Sequence, residues 1–271
     1  MPRRKVPSQE SKLKQGRGQG HGKDYCPFIT VRDLGSMGLS HRYKGWKTGR
    51  IHHLLSNNEK RYFFCLEWSP FVVDIREQFP LPLAETLEIA LRLGINHPTH
   101  PITKEYVVMT TDFLLDFMKD DKIVLKARTI KEVKDLDNPR VIEKLEIERT
   151  FYAELGVDWG ISTEREIPND LAKNVEWVHT ALNLENIPPG LQVEMIPMVE
   201  GLLFEIMNMG PRKALSHVAL ETDNRLGLKQ GTSLWVAKHL IASLKWHVDM
   251  RRPIATDKPL SVVRGRALTT G

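Results

Sequence analysis

The spacing of apolar residues changes character near residue 168. Before it, Leu55, Tyr62, Phe63 and Leu66 recur at helical spacing and predict a helix from Leu54 to Leu66. Phe71–Phe79, β-branched at its start and bounded by Pro70 and Pro80, predicts a strand. Tyr106–Phe117 and Ile123–Ile130 flank Met118–Lys122 and predict a hairpin with a charged turn. Asn138-Pro139 is a helix-start signal, and the stripe Val141, Leu145, Tyr152 carries that helix to about Leu155. Val157–Thr163 predicts a further strand. Helix, three strands, helix and strand make a mixed α/β core.

After Pro168 the pattern turns helical. Leu191–Asn208 is apolar and methionine-rich, and Met195, Met198, Met207 and Met209 fit an irregular core. Pro211 introduces a helix through Leu220, and Gly231-Thr232-Ser233 caps a third, to about Leu244. Trp246–Met250 alternates as a short strand before Arg251-Arg252-Pro253. Three helices and a basic ribbon predict a winged-helix module, with a plain helical cap as the alternative. The expected division is residues 1–165 and 166–271. Gln15–Lys23, where glycine alternates with polar or basic residues, reads as a flexible basic arm and not a dinucleotide fingerprint, because no strand precedes it.

The 271 residues are 41% apolar and 27% charged, a globular balance. Two cysteines, Cys26 and Cys65, exclude a disulfide scaffold and a four-cysteine zinc module. No run of eighteen apolar residues occurs and the N-terminus has no apolar h-region, so a soluble, cytoplasmic protein without a membrane partner is expected. The net charge of +5 conceals a segmented distribution. Residues 1–50 hold 12 basic against 3 acidic side chains, residues 51–211 hold 16 against 27, and residues 212–271 hold 11 against 4. Basic flanks point to a polyanion, and nucleic acid is the commonest one. Tyr43 and Trp46 lie among Arg42, Lys44, Lys47 and Arg50, an aromatic–basic interleaving suited to a DNA backbone. His52-His53, read as helical neighbours, point apart and are not a ligand pair.

The acidic centre carries the candidate chemistry. Glu59 sits four residues from both Leu55 and Phe63, inside an apolar stripe where a carboxylate needs a partner or a cation. Asp112 lies in the most strand-like run of the chain. With the hairpin turn centred on Asp120 its cross-strand partner is Arg128, and centred on Lys119 it is Lys126. Either way both cations share its face, whereas a turn centred between residues would swap the faces. A helical Glu, a strand Asp and a Lys-x-Arg step resemble the PD-(D/E)xK nuclease arrangement. There, carboxylates hold Mg²⁺ or Mn²⁺ and a cation orients water or stabilises the phosphorane.

Longer blocks resemble TnsA, the endonuclease subunit of heteromeric DNA transposases: Gly16–Tyr25, Lys47–Ser56, Leu66-Glu67-Trp68, Asp74–Leu81, Thr111–Leu114, Glu143–Arg149 and Asn174–Trp177. The resemblance is dense from about residue 15 to 180. It implies a restriction-endonuclease-like α/β domain followed by a winged-helix domain. It also implies 5′-strand cutting at transposon ends, with a TnsB-type transposase cutting the 3′ strand and a TnsC-type AAA+ regulator controlling both. By position it makes Glu59 and Asp112 the metal-binding carboxylates, holding a pair of Mg²⁺ or Mn²⁺ ions, and Glu148 a further acidic position of the site. The family's Gln-x-Lys step falls on Lys126-Ala127-Arg128. Ala127 would then offer its carbonyl to the metal, and Arg128, or Lys126 one step back, would replace the catalytic lysine. The expected DNA contacts are Arg17, Lys23, Arg42, Lys44, Lys47, Arg50, Arg251 and Arg252. The missing lysine leaves a second reading open, a non-catalytic adaptor recruiting the AAA+ regulator. A free-standing nuclease is a third.

Overall fold

The computed structural model describes residues 6–33 and 39–265, so the cations at positions 3–5 of the basic first segment lie outside it. Two compact units divide the chain, Met1–Ile167 and Pro168–Gly271.

The first unit begins with a short helix, α1 (Gln9–Lys14), capped by Ser8. A two-stranded hairpin follows, β1 (His41–Lys44) with β2 (Ile51–Leu54). Helix α2 (Asn57–Trp68) starts at Ser56, whose hydroxyl accepts from the Glu59 N–H. Strand β3 (Val72–Pro80) leads to α3 (Leu83–Leu93), which ends at Gly94 in the left-handed conformation that glycine adopts at little cost. Neither β1–β2 nor α3 was among the expected elements.

Strands β4 (Thr110–Lys119) and β5 (Lys122–Ile130) form the expected hairpin. Their turn is only two residues, Asp120 and Asp121, at φ +48° and +57°. Two positive φ values make a type I′ turn, whose twist matches that of the strands and which Asp tolerates. Helix α4 (Pro139–Glu154) opens at Asn138, whose side chain accepts from the Arg140 N–H. It returns the chain to β6 (Asp158–Ser162), parallel to β5. The sheet order is β3-β4-β5-β6, antiparallel except for the last pair, which needs the helical crossover. Ile89 and Ala90 of α3 and Ile147, Phe151 and Tyr152 of α4 pack with Leu114 and Ala127 of the sheet. On α2, Tyr62 meets Phe113 with ring centroids 5.5 Å apart.

Gln15–Lys23 is folded, not a flexible arm. The Gly18 N–H donates to the Cys26 carbonyl, and the Gly22 N–H to Asp74 Oδ2 at 3.0 Å. Its glycines allow close approach at positive φ: a Cβ on Gly18, at φ +83°, would stand 2.2 Å from Pro80 Cγ. His52 and His53 lie on β2, not on a helix. His52 is fully buried against Glu77, and His53 accepts from the Val31 N–H at 3.2 Å.

The second unit is helical: α5 (Asn169–His179), α6 (Ile196–Asn208), α7 (Leu215–Leu226) and α8 (Thr232–Ala242). The expected strand shrinks to β7 (Trp246–His247), antiparallel to β8 (Val263–Arg264). The loop between them is tied to α5, because Asn174 Nδ2 donates to the Met250 and Arg252 carbonyls and Asn174 Oδ1 accepts from the Ile254 N–H.

Gly18→Ala therefore forces Pro80 or the loop to move. It is expected to lower the free energy of unfolding by about 2–4 kcal/mol, the scale of overpacking added to a strained φ. Gly49→Ala, at φ +70° in open space, should cost only about 1 kcal/mol. Urea melts of the two variants check the difference.

Candidate active site

The two-residue turn sets what can meet Asp112. It pairs Lys119 with Lys122, Leu115 with Lys126 and Phe113 with Arg128, so the turn centres between Asp120 and Asp121. Lys126 and Arg128 are thereby drawn to the neighbouring strand, where both ion-pair with Asp158 of β6, at 3.5 and 3.0 Å. Ala127 is fully buried in the core, and its carbonyl accepts from Arg128 Nη1 at 2.8 Å. Among the described residues, neither Lys126 nor Arg128 pairs with Glu59 or Asp112, which corrects the register assumed from the sequence.

The cation at Asp112 is Lys131, just past the end of β5. Its Nζ lies 3.4 Å from Asp112 Oδ2, the same oxygen that accepts from the Ile130 N–H at 2.7 Å. Sequence reading ended the strand at Ile130 and missed it. The signal was present in the Thr129-Ile130-Lys131 step, which the correct register brings beside Asp112.

Glu59 joins them from α2. As the third residue of the helix it forms a variant capping box: Oε1 accepts from the Ser56 hydroxyl at 3.0 Å and Oε2 from the Leu55 N–H at 2.9 Å. Gln78 of β3 adds a contact at 3.3 Å. Burial, and then the charge of Asp112, push its pKa up to about 8. For Lys131, burial works to lower the pKa, but Asp112 and Glu148 outweigh it and hold the ammonium above its usual range. Glu59, Arg61, Lys131 and Lys144 line one cleft of about 710 Å³.

Glu148 lies behind this group. It is 3% exposed, and its Oε1 accepts from Thr111 and Thr129 at 2.7 and 2.6 Å. Tyr152, one turn on, donates to the Thr111 hydroxyl at 2.9 Å. Burial raises the Glu148 pKa, against the lowering effect of the two threonines. Thr111 precedes Asp112 and Thr129 stands two residues before Lys131, so Glu148 ties both strands to α4 at the site.

A second polar cluster brings His21, Asp74 and Asp116 within 4.8 Å of one another. Arg76 offsets one of its two carboxylate charges, ion-paired to Asp116 and 3.6 Å from Asp74.

The expected DNA contacts separate into two kinds. Arg17 is bound to Asp33 at 2.5 Å, and Lys47 donates to the Ser69 carbonyl. Arg50 is buried, donating from both terminal nitrogens to Glu77 and also to the Ile75 and Gly22 carbonyls. These three serve the fold. Lys23, Arg42, Lys44, Arg251 and Arg252 are exposed, Arg252 with an ion pair to Asp249 at 3.3 Å. Tyr43 packs edge-on against Phe64, and the Trp46 ring lies 6.3 Å from that of Trp68, so both half-buried aromatics have ring partners inside the unit.

Carboxylates and a lysine gathered at the end of an antiparallel strand pair, beside a helix start, are the chemistry of an α/β nuclease. Residues 69–164 match the model of the TnsA-like endonuclease N terminal, which takes in Asp112, Lys131 and Glu148, and residues 166–250 match that of the TnsA endonuclease C terminal. The Escherichia coli "Transposon Tn7 transposition protein TnsA" is 38% identical over 232 residues, 86% of this chain and 82% of that protein. The chain belongs to the TnsA endonuclease family. Among the described residues, no helix is long and apolar enough to cross a membrane.

Arg50→Ala leaves Glu77 buried beside a single histidine. The expected cost is about 3–5 kcal/mol of stability, the scale of breaking a buried ion pair. A DNA-contact role would instead leave the unfolding midpoint in place, and chemical denaturation distinguishes the two.

Proposed function

We propose that this chain is the divalent-metal-dependent endonuclease subunit of a heteromeric transposase, cutting the 5′, non-transferred strand at transposon ends. The observation that carries the reading is that Glu59 and Lys131 line one cleft, with Asp112 paired to Lys131 and close enough for its charge to act on Glu59. The assignment of strand and partners, a TnsB-type transposase and a TnsC-type AAA+ regulator, follows from family membership. The nuclease is assigned to residues 1–165. Residues 166–271 are assigned as a winged-helix domain, supported by the last three of its four helices, α6, α7 and α8, followed by a two-stranded ribbon. Most residues of α8 are buried, so little of that helix is left to enter a DNA groove, which favours protein docking for this domain.

The donor set fits Mg²⁺ or Mn²⁺. Burial and then the charge of Asp112 push the Glu59 pKa up to about 8, a strain that a bound cation would relieve, and oxygen ligands suit hard ions. Glu59 and Asp112 would hold the metal. A bound divalent ion lowers the pKa of water and neutralises charge developing on the phosphate. Lys131, kept protonated by its acidic neighbours, serves as a fixed positive donor toward the phosphate and not as a base. Glu148, with Oε1 bound to two threonine hydroxyls, positions Asp112 and Lys131 by holding their strands. The adaptor reading rested on a missing lysine, and Lys131 supplies one.

Glu59→Gln keeps much of the helix cap, which makes it a cleaner test than Glu59→Ala. Glu59→Gln, Asp112→Asn and Lys131→Met are each expected to lower 5′-strand cleavage by at least about 100-fold, the scale of losing a positioned charge. Lys131→Arg should retain more activity than Lys131→Met, because only the charge is required. Strand-specific mapping of cuts in Mg²⁺ and in Mn²⁺, with and without the partner transposase, reads all four. Full cleavage by the Asp112 variant would overturn the assignment.

The Glu59 pKa has a definite sign. Its folded value, about 8, lies above its ordinary 4.5, so the carboxyl is neutral at pH 7 and its contribution to stability falls as pH rises between those values. A metal must displace that proton. Adding Mn²⁺ at pH 7 should therefore release about one proton per site, which Glu59→Gln should abolish. Pulsed pH-stat titration measures it.

A further inference from the structure

The proposed chemistry uses Glu59 and Lys131 of the charged groups lining the cleft and leaves two cations without an assignment. Arg61 comes from α2, two residues past Glu59, and Lys144 comes from α4, one turn before Glu148. Both line the 710 Å³ cleft that holds Glu59 and Lys131. Lys131 is tied to Asp112 and so is largely neutralised. Among the described residues, the side chains of Arg61 and Lys144 form no ion pair and donate no hydrogen bond. Lys144 is half-buried and faces the positive charges of Lys131 and Arg140. Of the other acidic groups lining the cleft, Glu132 is held by Lys134 at 2.5 Å, and Asp135, on the 3₁₀ turn Val133–Asp137, forms no ion pair with either cation.

Partial burial of an ammonium beside two other cations costs free energy in the free protein. Such an arrangement is relieved when an anion enters. The cleft's two unpaired cations come from different elements, α2 and α4, and share its lining with Glu59 and Lys131. A DNA strand entering the cleft would meet a cation from each helix beside the reactive phosphate.

We propose that Arg61 and Lys144 form a phosphate clamp, which grips the DNA strand across the cleft and presents the scissile phosphate to Glu59, Asp112 and Lys131. The clamp rests on the nuclease reading above and names the residues that hold its substrate. Lys131 supplies charge to the reaction, whereas Arg61 and Lys144 supply the binding. This division explains why α4, whose Glu148 is directed inward at two threonines, also carries a cation directed at the cleft.

The test uses the full chain and a fluorescein-labelled DNA duplex, with anisotropy read across a salt series in EDTA so that no metal or cleavage intervenes. Arg61→Gln and Lys144→Met should each reduce the slope of log affinity against log salt by about 0.9, and the double variant by about 1.8, one phosphate contact per cation. Affinity should fall several-fold in each single variant, and Lys144→Arg should restore it. The thermal midpoint of Lys144→Met should stay level or rise, because an uncompensated half-buried charge has been removed. An unchanged salt slope overturns the clamp, and so does a lowered midpoint with unchanged binding, which would mark Lys144 as structural. Asp112→Asn serves as the separate control for the chemistry. If it loses cleavage while Lys144→Met binds like the wild type, the clamp alone fails. If it cleaves normally, the nuclease reading fails, and the clamp fails with it.

Discussion

Two carboxylates held together in a half-buried cleft repel each other, and the site is arranged around that repulsion. Glu59 cannot move away, because its oxygens are engaged by the start of α2. Asp112 cannot move away either, since the Ile130 N–H and Lys131 hold one of its oxygens. The remaining relief is chemical: a proton on Glu59, a nearby ammonium, or a divalent cation. On the proposed reading, a pair fixed in advance would let a metal bind without rearrangement of Glu59 and Asp112.

Behind the pair, the first unit is cross-braced by groups that look functional and are structural. Glu77 is fully buried on β3 and accepts from Arg50, His52 and the His53 N–H. These contacts bind the β1–β2 hairpin to the sheet. His52 and Arg50 together hold the Glu77 pKa well below the carboxylate range, against burial. Arg17 with Asp33 and Arg76 with Asp116 repeat the pattern on a smaller scale. A buried arginine paired in this way has no charge left for DNA, so the basic surplus of the first fifty residues overstates the unit's capacity to bind a polyanion.

Elements with strong local signals were legible in the chain itself. The helix start at Asn138-Pro139, the strand between Pro70 and Pro80 and the β4–β5 hairpin all depend on residues close in sequence. Helix α3 escaped notice even though Gly94 marks its end, and the hairpin β1–β2 escaped because its four-residue strands are too short to show a period. The glycines of Gln15–Lys23 suggested freedom, yet they serve close packing against Pro80 and the Asp24 carbonyl. A glycine permits both, and only its neighbours decide between them.

By itself the sequence determined the candidate carboxylates, Glu59, Asp112 and Glu148, and the family to which the chain belongs. Residue type and local spacing single out Glu59 and Asp112, and the resemblance of longer blocks adds Glu148 and the family. The cation completing the site was decided by tertiary structure. Hairpin register depends on whether the turn centres on a residue or between two, and a shift of one residue exchanges the faces of a strand. The Asp120-Asp121 turn chose the second option, sending Lys126 and Arg128 to Asp158 and bringing Lys131 to Asp112. The same limit applies to charge. Whether an arginine faces DNA or a buried glutamate depends on which distant strand folds against it, and nothing local to Arg50 announces Glu77.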